Sequence, residues 1–414
     1  MRLVIVGNGV AGITTARFVA ERDPSVEITV YSDERYPYYP RPRLVELLAG
    51  QVLPENMAFY PDEWYTKRRI RTVLGCRVLE IRPEVHEILL DDGQAVPYDR
   101  LVLAVGARAA VPPIIGSDLP GVYTLRSMRD ALALCDKVRE TKQAVILGGG
   151  LLGLDTAGAL RSHGIAVCVV ELLPRLLPRQ LDFEGASLLQ RIIEGKGIQI
   201  LVGDSCTAIE GQGVAERVRL KSGRVIEAQM VVISAGAGPD LELARQAGLR
   251  CGRGIIVDER LRTSMPDIYA VGDVAEYNQR VWGIIPAALA QARVAAAQIV
   301  QDSATIYQDI VPSTTLKVAG IDLISVGEIH PEDGQHLDLC YVDATAGVYK
   351  KLVMRGAYAV GAIVLGDKAD VRSAAQIVER RMDVSSHLNE LFSQGFDLAS
   401  LLRADAARER AKSS

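Results

Sequence analysis

Short apolar runs bounded by glycine recur along this chain in a repeating order. Leu3-Val4-Ile5-Val6 and Ala144-Val145-Ile146-Leu147 have the length and unbroken apolarity of strands buried on both faces of a parallel sheet. Each leads into a glycine cluster and then into a stretch with the apolar spacing of a helix. Second strands follow at Glu27–Tyr31 and Val167–Val170. Each half closes on an apolar run that ends in glycine, Leu101–Gly106 in the first and Met230–Gly236 in the second. Halves that begin and end alike indicate a duplicated architecture.

The remaining segments are read in the same way. Ala107–Gly121, with Pro112, Pro113 and Pro120, predicts an extended crossover, because proline disfavours helix there. Strands are predicted at Gly197–Leu201 and Arg217–Leu220, with Ser222-Gly223 as a turn. Asp267–Ala275 reads as a strand ending in Gly272-Asp273, and Pro286–Val300 as an alanine-rich helix with proline in its first turn. From Pro312 to Leu365 the texture changes to short β-like runs (Thr315–Val318, Leu323–Val326, Tyr349–Val353) separated by glycine turns. That pattern predicts a small α+β appendage, followed by a charged helical tail over Leu401–Ser414.

The two glycine clusters carry the chemistry. Gly7-Asn8-Gly9-Val10-Ala11-Gly12 and Gly148-Gly149-Gly150-Leu151-Leu152-Gly153 lie about 140 residues apart. Each has the three-glycine spacing of a dinucleotide fingerprint. The first glycine turns the chain off the strand, the second lets backbone N–H groups approach a pyrophosphate, and the third lets helix and sheet pack closely. The phosphate rests on the helix N-terminus. An acidic residue suited to a ribose 2′-OH follows each fingerprint: Asp33 or Glu34 lies about 21 residues beyond Gly12, and Glu171 about 18 beyond Gly153. A carboxylate there repels a 2′-phosphate, which favours NADH at the second site, although Arg175 lies close enough to Glu171 to keep NADPH open. The fold class expected is α/β, with two Rossmann-like dinucleotide-binding domains and a small C-terminal α+β domain. The boundaries expected are 1–107 with 233–310 for a discontinuous first domain, 108–232 for the second, 311–385 for the appendage and 386–414 for the tail.

Composition narrows the class further. The 414 residues, 49% hydrophobic and 24% charged, describe an ordinary globular protein of two or three domains. A formal charge of −4 speaks against nucleic-acid binding. No apolar stretch approaches the roughly 18 residues of a membrane span, so no membrane association is expected. The first strand begins at Arg2, leaving no room for a leader, and the cytoplasm is the expected location. The six cysteines are scattered, with no pair closer than 30 residues; neither a metal site nor a disulfide framework is expected.

The two dinucleotide units, the Ala270-Val271-Gly272-Asp273 strand end and the helix after it together resemble the FAD-dependent pyridine nucleotide-disulfide oxidoreductase superfamily. Tyr38–Leu44, Arg179-Gln180-Leu181-Asp182 and the appendage look most like NADH:rubredoxin oxidoreductases and the NAD(P)H- and FAD-binding portions of nitrite reductases. The resemblance implies FAD at the first fingerprint (Gly7, Gly9, Val10, Ala11, Gly12, with Asp33 or Glu34). It implies NADH, or less favourably NADPH, at the second (Gly148, Gly150, Leu151, Leu152, Gly153, Glu171, with Gly236 at the closing strand). It carries Asp273, beside Gly272, to the FAD ribityl chain and Arg126 to the flavin. Val78 matches a backbone contact to the adenine, and Ile285 and Pro286 match the flavin edge. Ala104 and Gly106 end the closing strand of the FAD half, and Arg41 and Arg43 belong to a segment set against the flavin. An ordinary interdomain salt bridge is the alternative for Arg126, and helix capping is compatible with Asp273.

Departures from the family pattern matter as much. Its disulfide reductases carry a cysteine pair, and its coenzyme A-disulfide reductases and water-forming oxidases a single cysteine, shortly after the second strand of the FAD unit. Here Tyr36–Arg43 occupy that stretch, and no cysteine precedes Cys76. Without a thiolate, disulfide reduction is not expected. Asp155 stands where relatives usually have glutamate near the nicotinamide. It is the one candidate catalytic residue, since hydride transfer between rings stacked about 3.5 Å apart needs positioning rather than an acid or base.

The implied acceptor is a small acidic iron–sulfur protein, rubredoxin or ferredoxin-like, landing on basic residues. Arg35, Arg41 and Arg43 are candidates; the run Lys67-Arg68-Arg69-Ile70-Arg71 reads better as a solvated face. The alternatives are a hydrogen peroxide-forming NADH oxidase and an NADH-responsive regulatory flavoprotein. The sequence leaves the oligomeric state open.

Overall fold

The computed structural model describes residues 1–302, 304–309, 313–318, 320–331, 334–388, 390–391 and 398–403. The chain divides into two units. Unit 1 comprises Met1–Ala110, Leu125–Cys135 and Gly236–Ile310; unit 2 comprises Val111–Thr124, Asp136–Ala235 and the segment from Val311 onward.

Unit 1 is built on a five-stranded parallel sheet. β1 (Arg2–Val6), at its centre, pairs with β2 (Glu27–Ser32) on one side, and β3 (Ile70–Leu74) lies beyond β2. On the other side are the Arg100–Leu103 strand and then the Ile268–Ala270 strand. Leu3, Val4, Ile5 and Val6 are all buried, as unbroken apolarity requires of a strand covered on both faces. Helix α1 (Val10–Arg22) and the helix Ile285–Ile299 pack against each other. The small side chains Ala292, Ala295 and Ala296, each fully buried, let the second helix seat closely.

Unit 2 repeats the plan. Its parallel sheet runs Ile198–Val202, Ala166–Glu171, Gln143–Leu147, Met230–Ile233 and Val122–Tyr123. Each unit also carries a three-stranded antiparallel meander. That of unit 2 contains the predicted Arg217–Leu220 strand and its Ser222-Gly223 turn. The appendage is a five-stranded antiparallel sheet in the order Ser313–Val318, Ile321–Gly327, Tyr358–Leu365, Val348–Arg355, Leu337–Asp343. The helix Lys368–Glu379 packs on it through Val371, Ala374, Ile377 and Val378.

Several boundaries differ from the sequence reading, for identifiable reasons. The strand expected over Leu101–Gly106 ends at Leu103, because at Ala104–Gly106 the chain leaves the sheet to line a cleft. The strand expected over Asp267–Ala275 ends at Ala270, and Gly272–Val274 forms a 3-10 turn. Leu125–Cys135 joins unit 1 because the Met128 N–H donates to the Tyr39 hydroxyl at 2.9 Å. The chain from Val311 onward falls with unit 2. There the Tyr349 hydroxyl donates to Asp182 at 2.6 Å, and the Lys351 ammonium lies 3.4 Å from the same carboxylate. Most of the expected helical tail lies outside the described residues.

Candidate functional site

The first fingerprint shapes a cleft of about 380 Å³ in unit 1. Gly7, at the end of β1, has φ +114°, and a Cβ there would stand 2.2 Å from the Ala104 carbonyl oxygen. Only glycine fits that crossing. Gly12 is fixed by the same logic one helical turn on, since its Cβ would stand 2.0 Å from the Gly7 carbonyl oxygen. Gly9 differs: a Cβ there meets nothing within 4 Å. It is the N-cap of α1, and no side chain accepts from the helix's first N–H groups. The open space over Gly9 and the uncapped helix end form a cradle suited to a pyrophosphate. Asn8 adds a buried Oδ1 without a hydrogen-bond partner. These features fit FAD.

Gly7, Gly9, Val10, Ala11, Asp33, Glu34, Arg41 and Val78 line this cleft, as do Ala104, Gly106, Arg126, Gly272 and Asp273. The structure separates the two acidic candidates. Glu34 accepts from the Tyr39 hydroxyl at 2.5 Å and the Met128 N–H at 3.2 Å, and its other oxygen pairs with Arg41 at 2.6 Å. Both oxygens are therefore engaged with the protein, whereas Asp33 is an exposed carboxylate on the cleft wall. Burial pushes the Tyr39 phenol far above its ordinary value, so it remains a donor.

Arg126 pairs with Asp273 at 2.7 Å and donates to the Ala107 carbonyl at 3.1 Å. The pair lies within unit 1, not between domains. The alanine-rich helix begins after Ile284 without a side-chain cap, so Asp273 does not cap it. Buried Gln291 fixes the neighbouring turn instead, its Oε1 accepting the Gly272 N–H at 2.7 Å.

Gly12, Arg43, Ile285 and Pro286 lie outside the lining. Arg43 is drawn onto its own helix by Glu46 at 3.2 Å and also donates to the Asn56 and Met57 carbonyls. Ile285 and Pro286 open the helix, and Ala288 presents to the cleft in their place. Four charged residues that line it, Arg77, Arg108, Asp240 and Glu242, were missed by the sequence reading, because no motif spacing marks them.

Unit 2 repeats the glycine geometry. Gly148 has φ +124° with its Cβ position 2.3 Å from the Ser234 carbonyl oxygen; Gly153 would meet the Gly148 oxygen at 2.0 Å; Gly150 meets nothing within 4 Å. Leu151 and Leu152 form the first turn of the helix Leu151–Ser162, and half-buried Asp155 follows on it. Glu171, buried at the end of its strand, accepts from the Gly149 N–H at 2.6 Å and from the Leu173 N–H at 2.7 Å. It braces the fingerprint loop. Arg175 donates to the Leu181 and Pro178 carbonyls and lies over the Phe183 ring at 4.5 Å. Gly236 falls in unit 1, where its carbonyl accepts from Ala110, because the chain has left the second sheet at Ile233.

Of the cysteines, Cys76 lines the cleft. Burial, with the Asp91 carboxylate beside it, pushes its thiol up to about 11, so it is no thiolate at neutral pH. No cluster of three metal-ligating side chains occurs among the described residues, and none of their helices is long and apolar enough to cross a membrane.

This duplicated architecture, with a cofactor cradle at the head of each parallel sheet, is that of a two-dinucleotide reductase. Residues 1–296 match the pyridine nucleotide-disulphide oxidoreductase family, and residues 312–382 match the rubredoxin NAD+ reductase C-terminal domain. The chain belongs to this family, whose members bind FAD and NAD(P)H. It is 34% identical over 385 residues to the assimilatory nitrate reductase electron transfer subunit of Bacillus subtilis, covering 93% of this chain and 50% of that protein. To the rubredoxin-NAD(+) reductase of Ectopseudomonas oleovorans it is 35% identical, covering 68% of this chain and 74% of that one. The ferredoxin reductase for the CYP199A2 system from Rhodopseudomonas palustris superposes with a TM-score of 0.83 at 28% identity, covering 95% of this chain and all of that one. The chain spans only about half the length of the nitrate and nitrite reductase proteins it matches.

Proposed function

We propose that this chain takes electrons from NADH and delivers them, with FAD held in unit 1, to a small acidic iron–sulfur protein of the rubredoxin or ferredoxin type. One observation carries the reading. Tyr36, Pro37, Tyr39 and Arg41 form the cleft wall in the stretch where cysteine-dependent relatives place their redox thiol, so no sulfur relay stands between the cofactor and an external acceptor. Bound FAD supplies the exchange between a two-electron hydride donor and one-electron acceptors.

The protein's part is to hold and orient. The uncapped start of α1 receives the pyrophosphate, Asp33 takes the ribose, and the Arg126–Asp273 pair sets a fixed charge pattern beside the Gly272 turn. Arg41, bound to Glu34, Tyr39 and the Arg126 carbonyl at 2.7 Å, belongs to this wall and is not free to serve as a landing residue. The names of two relatives, a rubredoxin-NAD(+) reductase and a benzene dioxygenase ferredoxin–NAD(+) reductase subunit, support the choice of acceptor.

Stopped-flow reoxidation of the NADH-reduced protein tests this directly. Rubredoxin or ferredoxin should reoxidise it at least about 100-fold faster than air-saturated buffer, a barrier difference of about 2.7 kcal/mol. Equal rates with and without the iron–sulfur protein would leave an oxidase, a name another relative carries.

The dinucleotide preference is a second expected outcome. Arg175 is committed to two carbonyls and an aromatic ring, so it does not offer its guanidinium to a 2′-phosphate. NADH should be favoured over NADPH by about tenfold or more in kcat/KM, and Arg175→Ala should leave that ratio unchanged within about twofold. A selective collapse of NADPH use in the variant would show that Arg175 reaches the phosphate after all.

A further inference from the structure

A chain of four charged side chains from three distant segments runs along the rim of the unit 1 cleft. Arg77, just before the Val78–Arg82 strand, pairs with Glu242 at 3.3 Å. Arg108 pairs with the same Glu242 oxygen at 2.8 Å and, through Nε, with Asp240 at 2.7 Å. All four line the cleft. Arg77, Arg108 and Glu242 have side chains 53%, 59% and 47% exposed, so these pairs add little to the stability of the fold. With two arginines set against two carboxylates the group offers an anionic cofactor no net attraction, the arginines' charge being offset by the carboxylates. They gain a purpose if they hold the arginines, and with them three chain segments, together over an occupied cleft.

We propose that Arg77, Glu242, Arg108 and Asp240 form an ionic clasp that closes over bound FAD and sets how long it stays. The proposal rests on reading the cleft as an FAD site. For the cofactor to leave, the Asp240–Glu242 segment must part from Arg77 and Arg108. Salt weakens exposed ion pairs strongly, since the screening length falls from about 10 Å at 0.1 M to about 3 Å at 1 M. The clasp therefore makes retention fall as ionic strength rises.

The experiment follows the return of flavin fluorescence as the holoprotein releases FAD on dilution, at 50 mM and 1 M NaCl. The unmodified protein should release FAD about three- to tenfold faster at high salt. Glu242→Gln should release quickly already at low salt and lose most of the salt response. Arg108→Gln should behave alike, and the double variant should lose less than the sum of the two single losses, because both remove the shared Arg108–Glu242 pair. Asp240→Asn provides a second carboxylate variant with the same expectation.

The direction of the effect is decisive. If the carboxylates merely repel the pyrophosphate, Glu242→Gln will hold FAD longer, and the clasp is overturned. Additive losses, or a salt response unchanged in the variants, would overturn it equally. A protein that takes up no flavin removes the proposed function and the clasp together; a yellow holoprotein with salt-independent release removes the clasp alone.

Discussion

Lys350→Met is expected to loosen the C-terminal sheet by about 3–5 kcal/mol, the usual result of leaving a buried carboxylate, here Asp370, without its cation. Lys350 is 8% exposed and Asp370 only 2%. The ammonium lies 2.6 Å from Asp370 and 2.7 Å from Asp367. Asp367 also caps the Lys368–Glu379 helix, and the second oxygen of Asp370 accepts the Leu398 N–H at 2.9 Å. One lysine thus ties a strand, a helix and the segment after it. Hydrogen exchange across Val348–Arg355 should quicken by about two to four orders of magnitude, while flavin loading in unit 1 stays as it was. Unchanged protection would show that the tie contributes nothing. Replacing Asp370 with leucine as well should recover only part of the loss, since the Leu398 N–H then remains unpaired at about 1–3 kcal/mol.

The same cluster fixes a pH window. Burial works against the Lys350 charge, but the hydrogen bonds and charges of Asp367 and Asp370 outweigh it and raise its pKa above the ordinary 10.5. Its contribution is therefore complete below 10.5 and lost as pH rises through the raised value. Burial likewise works against the Asp367 charge, and the Lys350 ammonium outweighs it, holding the carboxyl below 3.8. That contribution is present above 3.8 and lost as pH falls through the lowered value. Between these limits the tie is intact, and the lysine variant should lose the alkaline limb.

What could be read from the sequence was local. Gly12 and Gly153 are legible because each would strike a carbonyl oxygen five residues back, within the fingerprint itself; Gly7 and Gly148 are legible by their spacing alone, since the carbonyls they would strike belong to distant Ala104 and Ser234. The apolar runs of β1 and the Gln143–Leu147 strand are legible because burial on both faces removes every polar position. Distance from Gly153 singles out Glu171 as a ribose acceptor, whereas the structure gives both its oxygens backbone partners, Gly149 and Leu173, which depend on where the loop returns and which spacing does not reveal. Between Asp33 and Glu34 the sequence offered no choice, because the deciding partners, Tyr39, Arg41 and Met128, include a residue 94 positions away. Arg77, Arg108, Asp240 and Glu242 were invisible for the same reason: their pairs join residues 132 to 165 positions apart, and exposed charges leave no hydrophobic pattern.

The glycines supply the sharpest test of the two cradles, because the structure gives neighbouring positions opposite consequences. Gly12→Ala places a Cβ 2.0 Å from the Gly7 carbonyl oxygen and 3.2 Å from the Ala104 side chain. Both neighbours belong to the chain leaving the central sheet, so neither yields easily. Overpacking of this kind costs about 1–3 kcal/mol, and the variant should melt earlier and emerge without yellow colour. Gly9→Ala adds a methyl group that touches no protein atom, at φ −85°, which any residue adopts. Its apoprotein should melt as the parent does, yet the methyl stands where the backbone must approach the pyrophosphate, and FAD affinity should fall by about 100-fold, or 2.7 kcal/mol. Gly150→Ala, equally free of protein contacts, should keep its flavin and fail to bleach with NADH. Gly153→Ala, 2.0 Å from the Gly148 oxygen, should destabilise unit 2. If Gly9→Ala holds flavin as tightly as the parent, the first cradle does not bind the pyrophosphate. If Gly150→Ala bleaches at the parent rate, NADH is not bound at the second.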